Sequence, residues 1–174
     1  MRTILITCSF IMLNGCSILF PPQYPPLETV SSVDVNRYTG TWYEIASLPF
    51  SRQEGCSCTK AEYELMENRD LKVTNSCMQE GELSVANGKA FVVEGTGNAK
   101  LKVQFFWPFK GDYWIIDLAP DYSYAVVGVP SRKYCWILSR TKTMDDQLYA
   151  EILGRIKEKG FDISRFNKTV QECQ

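Results

Sequence analysis

The chain has 174 residues, 45% of them hydrophobic, which is typical of about one domain with a full hydrophobic core. It carries 19 Lys and Arg against 20 Asp and Glu with no basic run, so no nucleic-acid partner is expected. It contains no His, which excludes His-based acid/base catalysis, His-activated Ser or Cys nucleophiles and most zinc sites, and we expect neither a metal nor another cofactor.

The N-terminal segment is predicted to be a signal peptide over residues 1–15. One Arg is followed by an apolar run of about ten residues from Ile4 to Leu13, which is too short to span a bilayer and is typical of a secretory signal. The next residues, "LNGC", resemble the lipobox of bacterial lipoproteins. That resemblance implies that Cys16 is lipidated and becomes the mature N-terminus. The alternative is an ordinary secretory signal followed by an unmodified Cys.

A lipid anchor on Cys16 would hold the protein at a membrane, because several acyl chains together give stable anchoring. Ser17 stands where resembling lipoproteins of the inner membrane often carry Asp, which favours the periplasmic face of a bacterial outer membrane. Residues 16–32 are predicted to form a Pro-rich tether, since prolines stop helices and central strands and favour an extended spacer. The folded domain is predicted to span residues 33–174.

The domain has the short, regular rhythm of an all-β protein. Eight segments rich in aromatic and β-branched residues are separated by turn signals such as "ENRD" and "ANG". Short connections favour an antiparallel up-and-down meander, and eight such strands can close into a barrel with room for one small ligand. The predicted strands cover residues 41–48, 60–66, 71–76, 90–97, 101–107, 112–118, 124–129 and 134–140.

One helix is predicted after the strands, over residues 143–160. Thr143 can cap its first turn, Asp145 and Asp146 suit the N-terminal end of the helix dipole, and Gly160 ends it. An apolar residue at every fourth position gives the helix one apolar face, which we expect to pack against the outside of the barrel. This face consists of Met144, Leu148, Ile152 and Ile156.

Three short motifs, in the same order, resemble those of the lipocalin family. The resemblance covers residues 33–173, is strongest toward the apolipoprotein D-like and bacterial outer-membrane members, and implies an eight-stranded antiparallel up-and-down β-barrel with one C-terminal α-helix packed outside. The second motif departs from the family pattern, with Pro where Thr is common before the Asp. The matching residues are Gly40 and Trp42 in "GTW", Asp121 and Tyr122 in "PDYSYAVV", and Arg140 in "WILSR".

The resemblance implies that Trp42 and Arg140 have structural roles. A hollow barrel must be plugged at one end, and an indole with a guanidinium stacked across it supplies apolar volume and a cation–π contact. Arg140 is also expected to hydrogen-bond backbone carbonyls of residues 33–38, and Gly40 to let the entering chain pass close beneath. We expect these residues to stabilise the fold and not to contact ligand.

A ligand would lie inside the barrel, against the side chains that strand alternation directs inward. With one anchor per strand taken from the resemblance, the expected lining is mostly apolar with scattered hydroxyl groups, which suits an acyl chain with a polar head. The alternative is that the large aromatic side chains fill the barrel. The expected ligand-contacting residues are Ala61, Tyr63, Val73, Asn75, Phe91, Val93, Val103, Phe105, Tyr113, Ile115, Val127, Tyr134 and Trp136.

Of the seven Cys, one lies in the signal peptide and one would be lipidated, so an odd number remains and at least one is unpaired. Export to an oxidising compartment favours disulfides among the others. The family resemblance suggests a bond between Cys58 and Cys173, which would staple the C-terminal tail to the barrel. A bond between Cys56 and Cys77 is a second candidate. Cys135 would then be a free thiol, buried under the helix and pointing away from the cavity.

The expected function is that of a membrane-anchored lipid-binding protein, present as a monomer or weak homodimer. It would bind, store or transport fatty acids, lysophospholipids or similar small hydrophobic ligands. The alternative is a lipocalin-fold enzyme that acts on a bound lipid through Cys77 or Glu44. Because no motif places a catalytic group, we expect no enzymatic activity. Tetrapyrrole binding also fits the fold, although haem would need Tyr or Cys as its axial ligand.

Overall fold

The computed structural model describes residues 24–173. The signal peptide predicted over residues 1–15 and the predicted lipidation site Cys16 lie outside this range. Within it the chain forms nine strands, two α-helices and two single-turn 3-10 helices, joined by turns. The strands are β1 (Gly40–Ser47), β2 (Cys56–Leu65), β3 (Leu71–Gln79), β4 (Glu82–Val92), β5 (Lys100–Phe106), β6 (Phe109–Leu118), β7 (Tyr124–Gly128), β8 (Cys135–Ser139) and β9 (Asn167–Lys168), and the α-helices are α1 (Val35–Tyr38) and α2 (Asp146–Glu158).

The first eight strands form a closed antiparallel barrel. Each strand pairs with the next along the chain, and β1 pairs with both β2 and β8, so the sheet closes on itself. The predicted eight-stranded up-and-down barrel with one C-terminal helix outside is therefore confirmed. The connections β1–β2, β3–β4, β5–β6 and β7–β8 lie at one end, which we call the mouth. The helix α1 lies at the other end, which we call the closed end.

Strand β4 begins at Glu82, well before the predicted start at residue 90, and the prediction of a turn at "ANG" is wrong. The hairpin turn is formed instead by Glu80 and Gly81, whose φ angles of 53° and 83° suit a two-residue hairpin connection. Gly88 lies inside the strand. A Cβ there would come within 2.6 Å of the Gln104 carbonyl oxygen and 2.8 Å of Phe105 Cδ1, so close packing explains this glycine.

The closed end is plugged by Trp42, which is 0% exposed. The Arg140 guanidinium carbon lies 3.7 Å from the centroid of the indole. Its Nη1 donates a hydrogen bond to the Thr41 carbonyl at 2.9 Å and its Nη2 to the Arg37 carbonyl at 2.6 Å. Both kinds of contact expected from the sequence are present. Gly40 has a φ of +89°, and a Cβ there would lie 3.5 Å from Arg140 Nη1, so backbone conformation and not lack of space explains this glycine.

The second motif also lies at the closed end. The Tyr122 hydroxyl accepts a hydrogen bond from the Asp34 backbone N–H at 2.8 Å, and the Arg37 guanidinium lies 4.1 Å from the Tyr122 ring centroid. Asp121 Oδ1 accepts from the Ser123 N–H at 3.0 Å and the Ser123 hydroxyl at 2.7 Å, and these bonds hold the pKa of its carboxyl below the ordinary value. The motif therefore ties the β6–β7 connection to the segment that contains α1.

Helix α2 begins two residues later than a Thr143 cap requires, and that prediction is wrong. The N-cap is Asp145, whose Oδ1 accepts from the Leu148 N–H at 2.9 Å. Asp145 has a non-helical backbone conformation, as an N-cap residue needs, and its side chain satisfies one of the unpaired N–H groups of the first turn.

The apolar face of α2 packs on the outside of the barrel. Ile152 is 0% and Ile156 is 2% exposed, and Met144 and Leu148 pack beside them. This second apolar cluster is separate from the one inside the barrel. Its barrel side is formed by outward-facing residues of four strands and includes Ala46, Ile116, Val126, Cys135 and Ile137.

The C-terminal segment fills the gap between β1 and β2 near the mouth. Strand β9 pairs with β1, the Thr169 N–H donates to the Ile45 carbonyl at 2.9 Å, and the Cys58 N–H donates to the Val170 carbonyl at 2.7 Å. Disulfides join Cys58 to Cys173 and Cys56 to Cys77, as expected from the sequence. Among the Cys of residues 24–173, Cys135 remains free.

Residues 24–32, predicted as part of the tether, lie along the barrel. The Val30 N–H donates to the Ile115 carbonyl at 3.0 Å and the Val33 N–H to the Gly97 carbonyl at 2.8 Å. Leu27 is 5% exposed and belongs to the cluster under α2. No helix within residues 24–173 has the length and apolar character needed to cross a membrane.

We predict that Arg140→Ala lowers the free energy of unfolding by about 2–4 kcal/mol. The change removes the cation–π contact and leaves two backbone carbonyls without their donors. Arg140→Lys keeps the charge but not the planar guanidinium, so its free energy of unfolding should lie between those of the unchanged protein and Arg140→Ala. Urea unfolding followed by Trp fluorescence gives both values. A loss below about 0.5 kcal/mol for Arg140→Ala would mean that the plug does not depend on this side chain.

We also predict that the two disulfides differ in their contribution to stability. Cys58 and Cys173 are 115 residues apart and Cys56 and Cys77 are 21 apart. The chain-entropy model gives about 4–5 kcal/mol for the longer loop and about 3 kcal/mol for the shorter one. The paired variant Cys58→Ser/Cys173→Ser should therefore unfold at lower urea than Cys56→Ser/Cys77→Ser. The reverse order, measured under oxidising conditions, would contradict a stapling role for the C-terminal bond.

Candidate ligand-binding site

The inside of the barrel is lined by one continuous apolar cluster. Strand alternation places most of the residues predicted from the sequence in it. Asn75 pairs with Ala61 and therefore shares the interior face. The predicted residues that belong to the interior cluster or pack against it are Ala61, Tyr63, Val73, Val103, Phe105, Tyr113, Ile115, Val127 and Trp136.

The prediction that Phe91 and Val93 face inward is wrong. Ala90 pairs with Leu71 and Val103, is 0% exposed and belongs to the interior cluster, so Phe91 lies on the outer face of β4. Its ring centroid is 3.8 Å from Lys110 Nζ. Val93 follows the strand with the same parity as Phe91. The anchor that the resemblance supplied for this strand therefore selected the wrong face, and the interior side of β4 carries small residues.

Residues of the interior cluster differ in how far they are buried. Trp42 at the closed end is 0% exposed, whereas several side chains that point inward keep accessible surface. These partly buried interior residues are Ala61, Val103, Phe105, Tyr113 and Trp136.

The phenols of Tyr38, Tyr63 and the partly buried Tyr113 form a hydrogen-bonded cluster next to the plug, which we call the tyrosine cluster. The Tyr113 hydroxyl lies 2.7 Å from the Tyr38 hydroxyl and 2.8 Å from the Tyr63 hydroxyl. The Tyr38 ring centroid is 5.0 Å from that of Trp42. Burial raises the pKa of all three phenols, that of Tyr63 to about 12. The three hydroxyls are therefore protonated at neutral pH.

The tyrosine cluster retains one hydrogen-bond donor. Three hydroxyls carry three protons, and the two hydrogen bonds between them use two. The remaining O–H can donate to a carboxylate, carbonyl or hydroxyl oxygen of a ligand. Asn75 adds a second polar group to the interior, since its Oδ1 is buried with no hydrogen-bond partner among residues 24–173. Tyr38 was missed from the sequence because it lies on α1, where strand alternation gives no information.

The β1–β2 connection folds against residues near the mouth. The Phe50 ring centroid lies 5.0 Å from that of Tyr134 and 5.9 Å from that of Trp136. Trp136 Nε1 donates to Gln53 Oε1 at 2.9 Å. Tyr134 immediately precedes β8, so it lies at the rim and Trp136 lies further inside. The sequence did not indicate Phe50 or Gln53, because the connection has no strand pattern.

One contact reaches across the mouth. The Arg52 guanidinium carbon lies 4.9 Å from the Phe106 ring centroid. Arg52 belongs to the β1–β2 connection and Phe106 ends β5. Strands β1 and β5 lie on opposite sides of the closed barrel. The β1–β2 connection therefore covers part of the opening.

The two residues considered for catalysis are engaged in structural contacts. Glu44 is 5% exposed, and its carboxylate accepts hydrogen bonds from the Ser47 hydroxyl at 2.9 Å, the Thr169 hydroxyl at 2.6 Å and Gln53 Nε2 at 2.9 Å. It thereby joins β1, the β1–β2 connection and the C-terminal segment. Cys77 forms a disulfide, so it has no thiol that could act as a nucleophile.

Neither the remaining thiol nor the acidic residues form a metal or redox centre. Cys135 is 0% exposed, and burial raises the pKa of its thiol far above the ordinary value, so it is unreactive in the folded protein. Within residues 24–173, no group of three or more Cys, Asp or Glu side chains could hold a metal ion. The chemistry that the interior offers is therefore apolar contact and hydrogen bonding.

The sequence matches known proteins over most of its length. The profile of the family described as "Lipocalin-like domain" matches residues 33–171. The chain is 39% identical over 168 residues to the outer membrane lipoprotein Blc of Vibrio cholerae, covering 95% of this chain and 96% of that protein. It is 32% identical over 158 residues to apolipoprotein D of Macaca fascicularis, covering 85% of this chain and 81% of that protein.

A solved structure gives the same result for the fold. Insecticyanin from the tobacco hornworm Manduca sexta superposes with a TM-score of 0.68 at 24% identity, covering 86% of this chain and 87% of that one. At this identity the likeness shows the fold alone. The family profile and the two relatives also show common ancestry. The profile matches most of the chain, and the relatives cover most of it at 39% and 32% identity. The chain therefore belongs to the lipocalin family.

Proposed function

We propose that the protein is a membrane-anchored lipid-binding protein. Its ligands are fatty acids, lysophospholipids or similar small hydrophobic molecules, which it binds, stores or transports inside the barrel as a monomer or weak homodimer. It acts at the periplasmic face of a bacterial outer membrane, anchored through lipid on Cys16. The "LNGC" sequence and a relative named as an outer membrane lipoprotein support this location.

The strongest support is the arrangement of the barrel interior. An apolar wall ends at a closed base where the tyrosine cluster keeps one protonated donor. Binding sites for small amphiphiles combine an apolar lining with a few placed polar groups. An acyl chain would contact the wall and an oxygen of the head group would accept the spare hydroxyl proton.

The direct experiment is native mass spectrometry of the protein purified from the periplasmic side of the membrane, followed by organic extraction. A fatty acid or lysophospholipid in stoichiometric amount would support the proposal and identify the ligand class. A protein that is empty and also fails to bind fluorescent fatty acids would overturn it.

We predict that Ala61→Trp weakens the binding of a fluorescent fatty acid by about tenfold or more, because the indole occupies interior space. Glu64→Trp is the matched control. Glu64 lies on the same strand and is exposed on the outer face, where it contacts Lys72. Fluorescence titration gives both affinities, and circular dichroism checks that each variant is folded. Equal affinities for the two folded variants would place the ligand outside the barrel.

We predict that Tyr113→Phe weakens fatty-acid binding by about three- to tenfold, since it removes the central hydroxyl of the tyrosine cluster. Tyr134→Phe, at the rim, should have no effect. The raised pKa values of the three phenols keep the donor protonated at neutral and mildly alkaline pH, and it is lost only as the pH rises to those values, so the effect of Tyr113→Phe should be the same from pH 6 to 9. Titration calorimetry gives the affinities. A loss for Tyr134→Phe alone would place the head group at the mouth.

A further inference from the structure

The β5–β6 turn exposes three large aromatic side chains at the mouth. Phe106 is 60% exposed, Trp107 is 86% exposed and Phe109 is 77% exposed. They lie within four consecutive positions, with Pro108 between them, and Lys110 follows. Scattered apolar residues on a surface are ordinary, but a contiguous group of large aromatic residues is typical of an interaction site.

This turn projects beyond the end of the neighbouring strand β7. Trp114 of β6 pairs with Gly128, the last residue of β7, so residues 109–113 continue past the end of β7. A strand rises about 3.3 Å per residue, which places the aromatic turn more than about 10 Å beyond the last residue of β7 even in a tilted strand. On the other side, β4 continues for seven residues past its Lys89–Gln104 pair, so the β3–β4 hairpin also projects at the mouth.

The charges around the mouth favour this turn over the other hairpin. Arg52 contacts Phe106, and Lys110 lies directly after Phe109. The β3–β4 hairpin also exposes Leu83 on its outer face, but its tip carries Glu80 and Glu82. Aromatic residues flanked by cations suit a surface that is apolar below and anionic or zwitterionic above, which is the character of a phospholipid interface.

The chain enters the structure at the same end of the barrel. The Pro25 carbonyl accepts a hydrogen bond from Arg132 Nη2 at 2.7 Å, and the Arg132 guanidinium carbon lies 5.3 Å from the Tyr24 ring centroid. Arg132 belongs to the β7–β8 connection, at the mouth. Cys16 precedes Tyr24 by eight residues, which span at most about 29 Å. A lipid on Cys16 would therefore hold the mouth near the membrane.

We propose that the protein docks mouth-first on a phospholipid bilayer, with Phe106, Trp107 and Phe109 inserted at the interface. This inference goes beyond the proposed function, although the argument from Cys16 rests on its lipidation. In the docked orientation a lipid ligand passes between the bilayer and the barrel interior without crossing bulk water. The contact of Arg52 with Phe106 links the inserted turn to the connection that covers part of the mouth.

The test uses the full mature protein reconstituted in vesicles of phosphatidylethanolamine and phosphatidylglycerol with brominated acyl chains, which quench nearby Trp fluorescence. We expect quenching that is lost in Trp107→Phe and kept in Trp114→Phe, since Trp114 is partly buried against the cluster beneath α2. Quenching that is absent, or unchanged in Trp107→Phe, would overturn the proposal.

A second pair of variants tests the inserted residues without removing the probe. Phe106→Ser/Phe109→Ser should reduce the quenching of Trp107 several-fold, whereas Leu65→Ser should not. Leu65 is 44% exposed but ends β2 at the closed end. Equal quenching in both, or a shift to a dimer with no quenching, would contradict docking on a bilayer. The mass of the mature chain tests lipidation, and fatty-acid binding in solution tests the proposed function, so each can fail separately.

Discussion

The stacked pair of Trp42 and Arg140 is the contact on which the architecture depends. A barrel that is to hold a ligand must be closed at one end without being filled, and this pair closes it with one indole and one guanidinium. The guanidinium also binds the carbonyls of Arg37 and Thr41, so the same side chain ties β8 to the start of β1 and to α1. Because the base is occupied in this way, the interior can open only at the mouth. The covering connection and the aromatic turn both lie at that end.

Polar groups inside and along the wall are placed where they complete the barrel. The tyrosine cluster lies just inside the plug. Two of its three hydroxyl protons are used in hydrogen bonds within the cluster, which stabilise the base, and the third is left as a donor. Glu44 accepts hydrogen bonds in the half of the barrel nearer the mouth, where β1 and β2 separate and the C-terminal segment lies between them. Gln171 donates to the Glu44 and Thr59 carbonyls across that gap. A carboxylate that looked like a candidate for catalysis from the sequence therefore connects the barrel wall to its C-terminal strap.

Much of the fold could be predicted from the sequence, and the failures have physical causes. Strands with large inward residues, such as β1 and β8, were placed correctly because aromatic and β-branched residues mark them. The start of strand β4 was misplaced because its interior side carries small residues. Gly88 and Ala90 leave room for Phe105 and Val103, and the glycine was interpreted as a turn signal. Thr143 and Asp145 are both good caps in sequence, and only the backbone decides between them. Tyr38 reaches the interior from a four-residue helix, too short to leave a periodic signal.

The barrel interior, closed by the plug and furnished with one free hydroxyl donor, is proposed to bind an amphiphile with its head group inward. Diffraction from crystals grown with a fatty acid brominated at its terminal carbon tests this most directly. We expect an anomalous bromine peak inside the barrel on the mouth side of Trp136, with the carboxylate within hydrogen-bond distance of the tyrosine cluster. A bromine peak next to Trp42, or only on the outer surface, would contradict this binding mode.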